Sequence, residues 1–174
     1  TRMFIQDSLG VGLIGSAAPN VDELRRAAAL WGEGNDARVW VSGEHLPASS
    51  VAFVNAFLTH NSEFDCIHEA AVVHCVTVVL ASTMAVAEKL ENINGKELMI
   101  AVAVGVDVAC ILGVAARSGL RFFRPATAGT FAATMGIGKL RGFDPEQLIR
   151  SCSLAFSQIG GTMQAHAEGS SLLA

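Results

Sequence analysis

The segment "MIAVAVGVDVACILGVAA", residues 99–116, is the longest apolar run in the sequence and decides how this chain can fold. Its length is about that of a helix that crosses a membrane. Asp107 lies in its middle, where a carboxylate costs roughly 2.5–3.5 kcal/mol on membrane-insertion scales. We therefore expect a helix in the core of a folded domain, with Asp107 in a structural role, and no membrane span.

The rest of the sequence repeats this pattern of apolar helical segments divided by Gly, Pro and Asn. Apolar residues make up 51% of the 174 residues and charged residues 16%. We predict an all-α fold, a compact helical bundle, with at most a short strand near 38–41. Asn20 and Asp144 are expected to cap helices, the second of which starts with Pro145. The predicted helices cover residues 4–14, 21–31, 47–58, 70–90, 96–117, 126–140 and 145–158.

Charge and cysteine content restrict the class of protein. The net charge is −4 and no Lys/Arg-rich block occurs, so nucleic acid is not expected as a partner. Four scattered cysteines without a CxxC pair indicate reduced thiols and a cytoplasmic location. The high apolar fraction predicts a homodimer, formed through helices within residues 72–90 and 100–116.

The stretch "EFDCIHEAAVVH", residues 63–74, gathers most of the chemically active side chains. Glu63, Asp65 and His68 stand before an apolar helix whose N-terminus favours anions. We expect His74 about one turn inside that helix, partly desolvated and titrating near neutral pH. This combination suits acid–base chemistry on a carboxylate, although an ordinary solvated loop with one core histidine has the same composition.

Two motif matches are weak signals for a nucleotide or a metal. Gly10, Gly12 and Gly15 form G-x-G-x-x-G, but no strand precedes them and no helix opens after them. Packing of small residues accounts for this match better than a nucleotide site. His68 and His74 are six residues apart and point to different sides of a helix, so we expect no metal.

Two further segments offer polar side chains for substrate binding. Arg124 in "RFFRPAT" can bind a carboxylate with both arms of its guanidinium group, or can lie on the surface. Gln164 and His166 in "MQAHAEG" follow the flexible pair Gly160-Gly161. They are substrate-binding candidates, and an ordinary polar turn is the alternative.

Several segments together resemble the MmgE/PrpD family, in order and spacing over nearly the whole chain. They are "VAFVNAFLTHNSEFDCIHEAAVVH", "ASTMAVAEKL", "FFRPATAGTFAATMGIGKLRGFDPEQL" and "AFSQIGGTMQAHAEGS". The resemblance implies a large helical domain and a smaller α/β domain, with the active site between them and no cofactor. Residues 1–174 would then form an incomplete helical domain, and the α/β domain would be absent from this chain.

The resemblance also implies roles for single residues. The family pattern D-x-D-D-T-H is followed by a catalytic histidine just before a proline. Glu63 and Asp65 match the first two aspartates, His68 matches the histidine, and His74 takes the catalytic position.

Three departures from the family pattern restrict the reaction. Cys75 replaces the proline, and Arg124 replaces a second site histidine. The lysine of the decarboxylases would fall near Leu173 and is missing. Decarboxylation of cis-aconitate is therefore not expected.

The resemblance implies a cofactor-independent lyase or isomerase that acts on a small di- or tricarboxylic acid. Proton transfer α to a carboxylate would lead to dehydration, as in 2-methylcitrate dehydratase, or to epimerisation. The alternative is a non-catalytic helical dimerisation module in which the polar cluster has lost its role. Cys66 and Ile67, which replace the Asp-Thr pair of the family pattern, and the lost second histidine favour this alternative. The retained acidic and histidine residues favour the enzyme.

Overall fold

A computed structural model describes residues 1–117 and 121–167, except the side chains of Ala165 and His166. The described part is mainly helical, with one small two-stranded sheet, so the predicted all-α class is confirmed. Its helices are α1 (Arg2–Gly15), α2 (Val21–Ala29), α3 (Ala48–His60), α4 (Cys75–Leu90), α5 (Gly95–Ala115), α6 (Arg124–Leu140), α7 (Pro145–Gln158) and α8 (Gln164–Ala167).

Within the described ranges, the β structure is one small antiparallel pair. Strands β1 (Ala37–Arg38) and β2 (His45–Leu46) pair Ala37 with Leu46 and Arg38 with His45. The short strand expected near 38–41 is therefore found slightly earlier in the chain. It packs against α3 and α4 and closes one side of the bundle.

Helix α4 is the centre of the bundle. It packs against α3 on one side and against α5 and α6 on the other. Val76, Val79 and Leu80 are at most 2% exposed, and Lys89 is the one exposed residue of this helix. Such burial is expected from its sequence, which is apolar on every face. Little of α4 is therefore exposed, and the dimer surface predicted within residues 72–90 stays a prediction.

Small residues let the helices approach closely. A Cβ on Gly105 of α5 would lie 2.6 Å from Val79 Cγ1 and 2.8 Å from the carbonyl oxygen of Ala132. Gly15 of α1 has the same function, because a Cβ at this position would lie 1.9 Å from the carbonyl oxygen of Leu58. The glycine motif lies inside a helix, which excludes the strand–turn–helix geometry of a nucleotide site.

Helix α5 is long and apolar enough to cross a membrane, but it packs against α4 and α6. Only 28% of its most apolar window is buried within the described structure. Asp107 is exposed, which corrects the expectation of a structural carboxylate in the core. Ile111 and Val114 are also exposed, at 58% and 57%, so this helix presents an apolar outer face.

Two local predictions need correction. Helix α4 starts at Cys75 and not at residue 70, because residues 68–73 fold back on themselves through a bridge between His68 and Val73. Asn20 precedes α2 in a left-handed conformation, and its side chain makes no capping bond. Asp144 does cap α7, with a bond from Gln147 N to Asp144 Oδ1 of 2.8 Å.

The space around each glycine predicts opposite effects for two glycine-to-alanine changes, one between α5 and α6 and one on the open side of α1. Gly105→Ala should lower the free energy of unfolding by roughly 1–3 kcal/mol, because its methyl group would overlap the Ala132 carbonyl. Gly10→Ala, in α1 with open space around it, should be neutral or stabilise by up to about 1 kcal/mol. Urea unfolding of both variants checks this, and equal stabilities would contradict the packing.

Candidate active site

The loop between α3 and α4 carries most of the predicted site residues and is held by its own contacts. Glu63 and Val72 have left-handed backbones, with φ of 57° and 47°. The amide of Ala71 donates to His68 Nδ1 at 3.1 Å, and Arg124 Nη1 donates to the carbonyl oxygen of Ala71. These contacts fix the loop against the start of α6.

Asp65 is the centre of the site. It is 4% exposed, and its carboxylate contacts three side chains. His60 Nδ1 lies 3.0 Å from Oδ1, His74 Nδ1 lies 3.1 Å from the same oxygen, and the Thr77 hydroxyl donates to Oδ2. A buried carboxylate needs such partners, since ionisation without them is costly.

These partners decide the charge of Asp65. Burial raises the pKa of its carboxyl group, but hydrogen bonds with His60 and Thr77 and the close contact with His74 lower it more. The net effect holds the pKa of Asp65 well below its ordinary value. Asp65 is therefore ionised at neutral pH and supplies a permanent negative charge behind the two imidazoles.

His74 is the N-cap residue of α4 and not, as predicted, one turn inside this helix. The contact with Asp65 raises the pKa of His74, burial lowers it, and the charges of Asp65 and Glu63 raise it further. The sum raises this pKa above the ordinary value of 6.5. His74 therefore exchanges a proton at a pH above that of a free histidine.

His60 is a site residue that the sequence reasoning missed. It lies in the last turn of α3, and its ring is 4.6 Å from that of His74, measured between centroids. Its Nε2 is buried without a hydrogen-bond partner, 3.4 Å from Glu63 Oε1. The sequence feature that could have identified His60 is its position five residues before Asp65, at the end of an apolar helix.

Glu63 completes the cluster from the solvent side. Its side chain is 48% exposed, and its Oε2 lies 3.9 Å from His74 Nε2. Ligand atoms of His60, Glu63 and His74 lie within 4.8 Å of one another, close enough to share a cation. A cation would need both imidazoles neutral, whereas Asp65 and Glu63 favour a proton on His74.

The two histidines line a cleft of about 580 Å³, which is in the size range of small-molecule sites. Helix α3 forms one wall and α4 the next. The start of α6 and the segment after α7 complete it, through residues such as Phe123 and Gly161. The cleft thus begins at the imidazoles and extends along α3 and α4.

The other predicted residues make different contacts. His68 is exposed, and its Nδ1 accepts the Ala71 amide. Arg124 contacts the loop through Ala71 and is not among the described residues that line the cleft. Gln164 is exposed, and the side chain of His166 lies outside the described part. Substrate binding by these residues stays a prediction.

The cysteine beside His74 is not a nucleophile in this arrangement. Cys75 is 7% exposed and belongs to the apolar core. A hydrogen bond with Cys66 and burial both raise the pKa of its thiol, which keeps it protonated. The acid–base groups of the cluster are thus the histidines and carboxylates.

Comparison with known proteins agrees with this architecture. The family model for the MmgE/PrpD N-terminal domain matches residues 1–173, and the chain belongs to this family. The chain is 26% identical to cis-aconitate decarboxylase from Mus musculus over 168 residues, which are 92% of this chain and 34% of that protein.

Two other curated relatives show the same extent of similarity. Identity to cis-aconitate decarboxylase from Homo sapiens is 26% over 171 residues, 94% of this chain and 35% of the relative. Identity to cis-aconitate decarboxylase from Aspergillus terreus is 24% over 176 residues, which are 97% of this chain and 36% of that relative. The chain thus spans about a third of the length of these relatives.

The shared contacts of Asp65 predict a combined effect on stability and titration. Asp65→Asn should lower the free energy of unfolding by roughly 3 kcal/mol or more, because it removes the buried charge that both imidazoles contact. It should also lower the pKa of His74. Denaturant unfolding and NMR titration of the His74 ring measure both effects.

The sign of the pH dependence is set by the raised pKa of His74. Its contribution to stability is complete below about pH 6.5 and is lost as the pH rises through the raised value. Asp65→Asn should flatten this loss. Asp22→Asn is a control on the surface, with 71% of its side chain exposed, and should leave both measurements nearly unchanged. A parent-like His74 titration in Asp65→Asn would contradict the assignment.

Proposed function

We propose that this chain forms the helical part of a lyase or isomerase that moves a proton α to a carboxylate of a small acid. The main observation behind this proposal is that His60 and His74 both contact one buried, ionised carboxylate, that of Asp65, at the end of a cleft. Membership of a family whose curated relatives are decarboxylases supports a related lyase-like role.

His74 is the group that meets the substrate in this proposal. Its Nδ1 faces Asp65, so Nε2 is the atom left for proton transfer. The substrate's C–H bond breaks, its proton passes to Nε2, and the electron pair moves into the carboxylate. His60 acts as a positioning residue, because its Nδ1 lies 3.0 Å from the same Asp65 oxygen that His74 contacts.

Loss of the proton leaves an intermediate whose extra electron pair is held by the carboxylate, and this intermediate can react in two ways. In dehydration, a β-hydroxyl group leaves with the proton of His74 as water, and a carbon–carbon double bond forms. In epimerisation, a second acid, which the full-length protein would have to supply, donates a proton to the other face of the carbon, and His74 releases the abstracted proton to water. The family resemblance favours a di- or tricarboxylic acid and the dehydratase reaction, and the substitutions at Arg124 and near Leu173 argue against decarboxylation.

Replacement of His74 tests the proposal directly in the full-length gene product. His74→Gln should lower turnover by about 10²–10⁴, the usual contribution of general acid–base catalysis. His68→Gln is the matched control, because His68 is exposed and bonded within its loop. Steady-state kinetics on a screen of citrate-like and aspartate-like acids gives both values.

The outcome that refutes the assignment is a turnover of His74→Gln within about threefold of the parent, well below the 1.4 kcal/mol of a tenfold effect. A parent protein that turns over no acid of the screen would favour the non-catalytic alternative. Circular dichroism of each variant shows that the helical fold is retained.

The pH profile offers a second test of the same residue. A base must be unprotonated, so kcat/KM should rise with pH through a midpoint above 6.5, the ordinary pKa of histidine. Asp65→Asn should move that midpoint to lower pH. A midpoint that is equal in both proteins would show that another group controls the rate.

The proposed reaction needs no metal or organic cofactor. Dialysis of the full-length product against EDTA should therefore leave turnover unchanged, since His74 alone accepts the proton in the proposed steps. Loss of activity on chelation, with recovery on adding a divalent cation, would refute this part of the proposal.

Association and location also stay proposals. The exposed apolar face of α5 is the surface that we propose for a homodimer. Ile111→Asp should then reduce association in sedimentation experiments, and an unchanged mass would exclude α5 from the interface. A cytoplasmic location and a small carboxylic acid as partner follow from the sequence analysis.

A further inference from the structure

The cleft has a polar end and an apolar body. The imidazoles of His60 and His74 are the titratable groups among the described residues that line it. Away from them, the walls include Phe53, Phe57 and Val78. A substrate that fills this space must bring apolar surface to these side chains.

Helix α3 gives the cleft its length. Ala52, Ala56 and His60 follow one another at intervals of four residues, so they lie on one face of this helix. Eight residues of helix extend about 12 Å. The small side chains of Ala52 and Ala56 leave the room that a substrate group can occupy.

The hydroxyl groups of the walls offer no free proton to a second carboxylate. The Thr77 hydroxyl donates to Asp65. Ser82 Oγ donates to the carbonyl oxygen of Val78 at 2.7 Å, and Thr130 Oγ1 donates to that of Ala126 at 2.7 Å. No lysine or arginine is found among the described lining residues. Among the described residues, a second carboxylate in this part of the cleft would therefore find no cation to offset the cost of its burial.

We infer that the substrate is a carboxylic acid with an apolar arm of several carbon atoms. Its carboxylate lies at His74, and its arm follows α3 past Ala56 towards Phe53, which is 44% exposed at the cleft. This inference rests on the proposed function for the position of the carboxylate. It goes further, because it distinguishes alkyl-substituted acids from small polycarboxylates that are charged at every end.

The experiment measures binding of a matched series of acids to the full-length gene product by calorimetry. The series is succinic acid and its methyl, propyl and hexyl derivatives, with tricarballylic acid as the polycarboxylate without an arm. Each buried methylene should tighten binding by roughly three- to fourfold. A dissociation constant that does not change with arm length, or tighter binding of tricarballylic acid than of hexylsuccinic acid, would overturn the inference.

Variants locate the arm within the cleft. Ala56→Leu fills the path and should weaken binding of hexylsuccinic acid by roughly tenfold or more, with little change for succinic acid. Ala27→Leu makes the same change at an exposed position of α2 and should affect neither acid. Val78→Thr is a second variant that keeps the side-chain shape, adds a hydroxyl group and should also weaken the hexyl derivative selectively. If all three variants bind hexylsuccinic acid and succinic acid as tightly as the parent protein does, the inference is overturned.

The same measurements separate this inference from the proposed function. His74-dependent turnover of an unsubstituted acid, with no effect of arm length on binding, overturns the inference and leaves the proposed function standing. No binding of any acid, together with no turnover, overturns both. Binding that tightens with arm length supports the inference even where His74→Gln retains turnover with another base.

Discussion

The buried carboxylate of Asp65 is the interaction on which the rest of the site depends. It is enclosed by residues of α3, by the loop after it and by the first turn of α4, and one of its oxygens contacts both imidazoles. An ionised carboxylate at this depth is stable because three side chains turn towards it. The same contacts fix which nitrogen of His74 faces the cleft.

This arrangement joins the fold to the proposed chemistry. Helix α4 is buried by its neighbours on both sides, so its N-terminus, where His74 lies, has a fixed position relative to α3. His60 approaches from the end of α3 and shares the charge of Asp65. A negative charge behind an imidazole raises its pKa, and the raised pKa of His74 is the property that general acid–base catalysis at neutral pH uses.

Much of the fold was predictable because its signals are local. Asp144 and Pro145 mark the start of α7 through a capping bond and a fixed backbone angle, and the structure places the helix there. The start of α4 was not predictable in this way. Residues 70–74 have the apolar composition of a helix, but the bridge between His68 and Val73 and the contact of Arg124 with Ala71 hold them in a loop.

The sequence by itself determined the helical class, the family and the span that carries His74 and Asp65, because composition, periodicity and motif order are properties of neighbouring residues. Only the tertiary structure brought His60 to Asp65, exposed Asp107 and lined the cleft with apolar side chains from three helices. These features depend on which helix faces pack together. That choice follows from close contacts such as Gly105 against Val79 and Ala132, which join segments far apart in the chain.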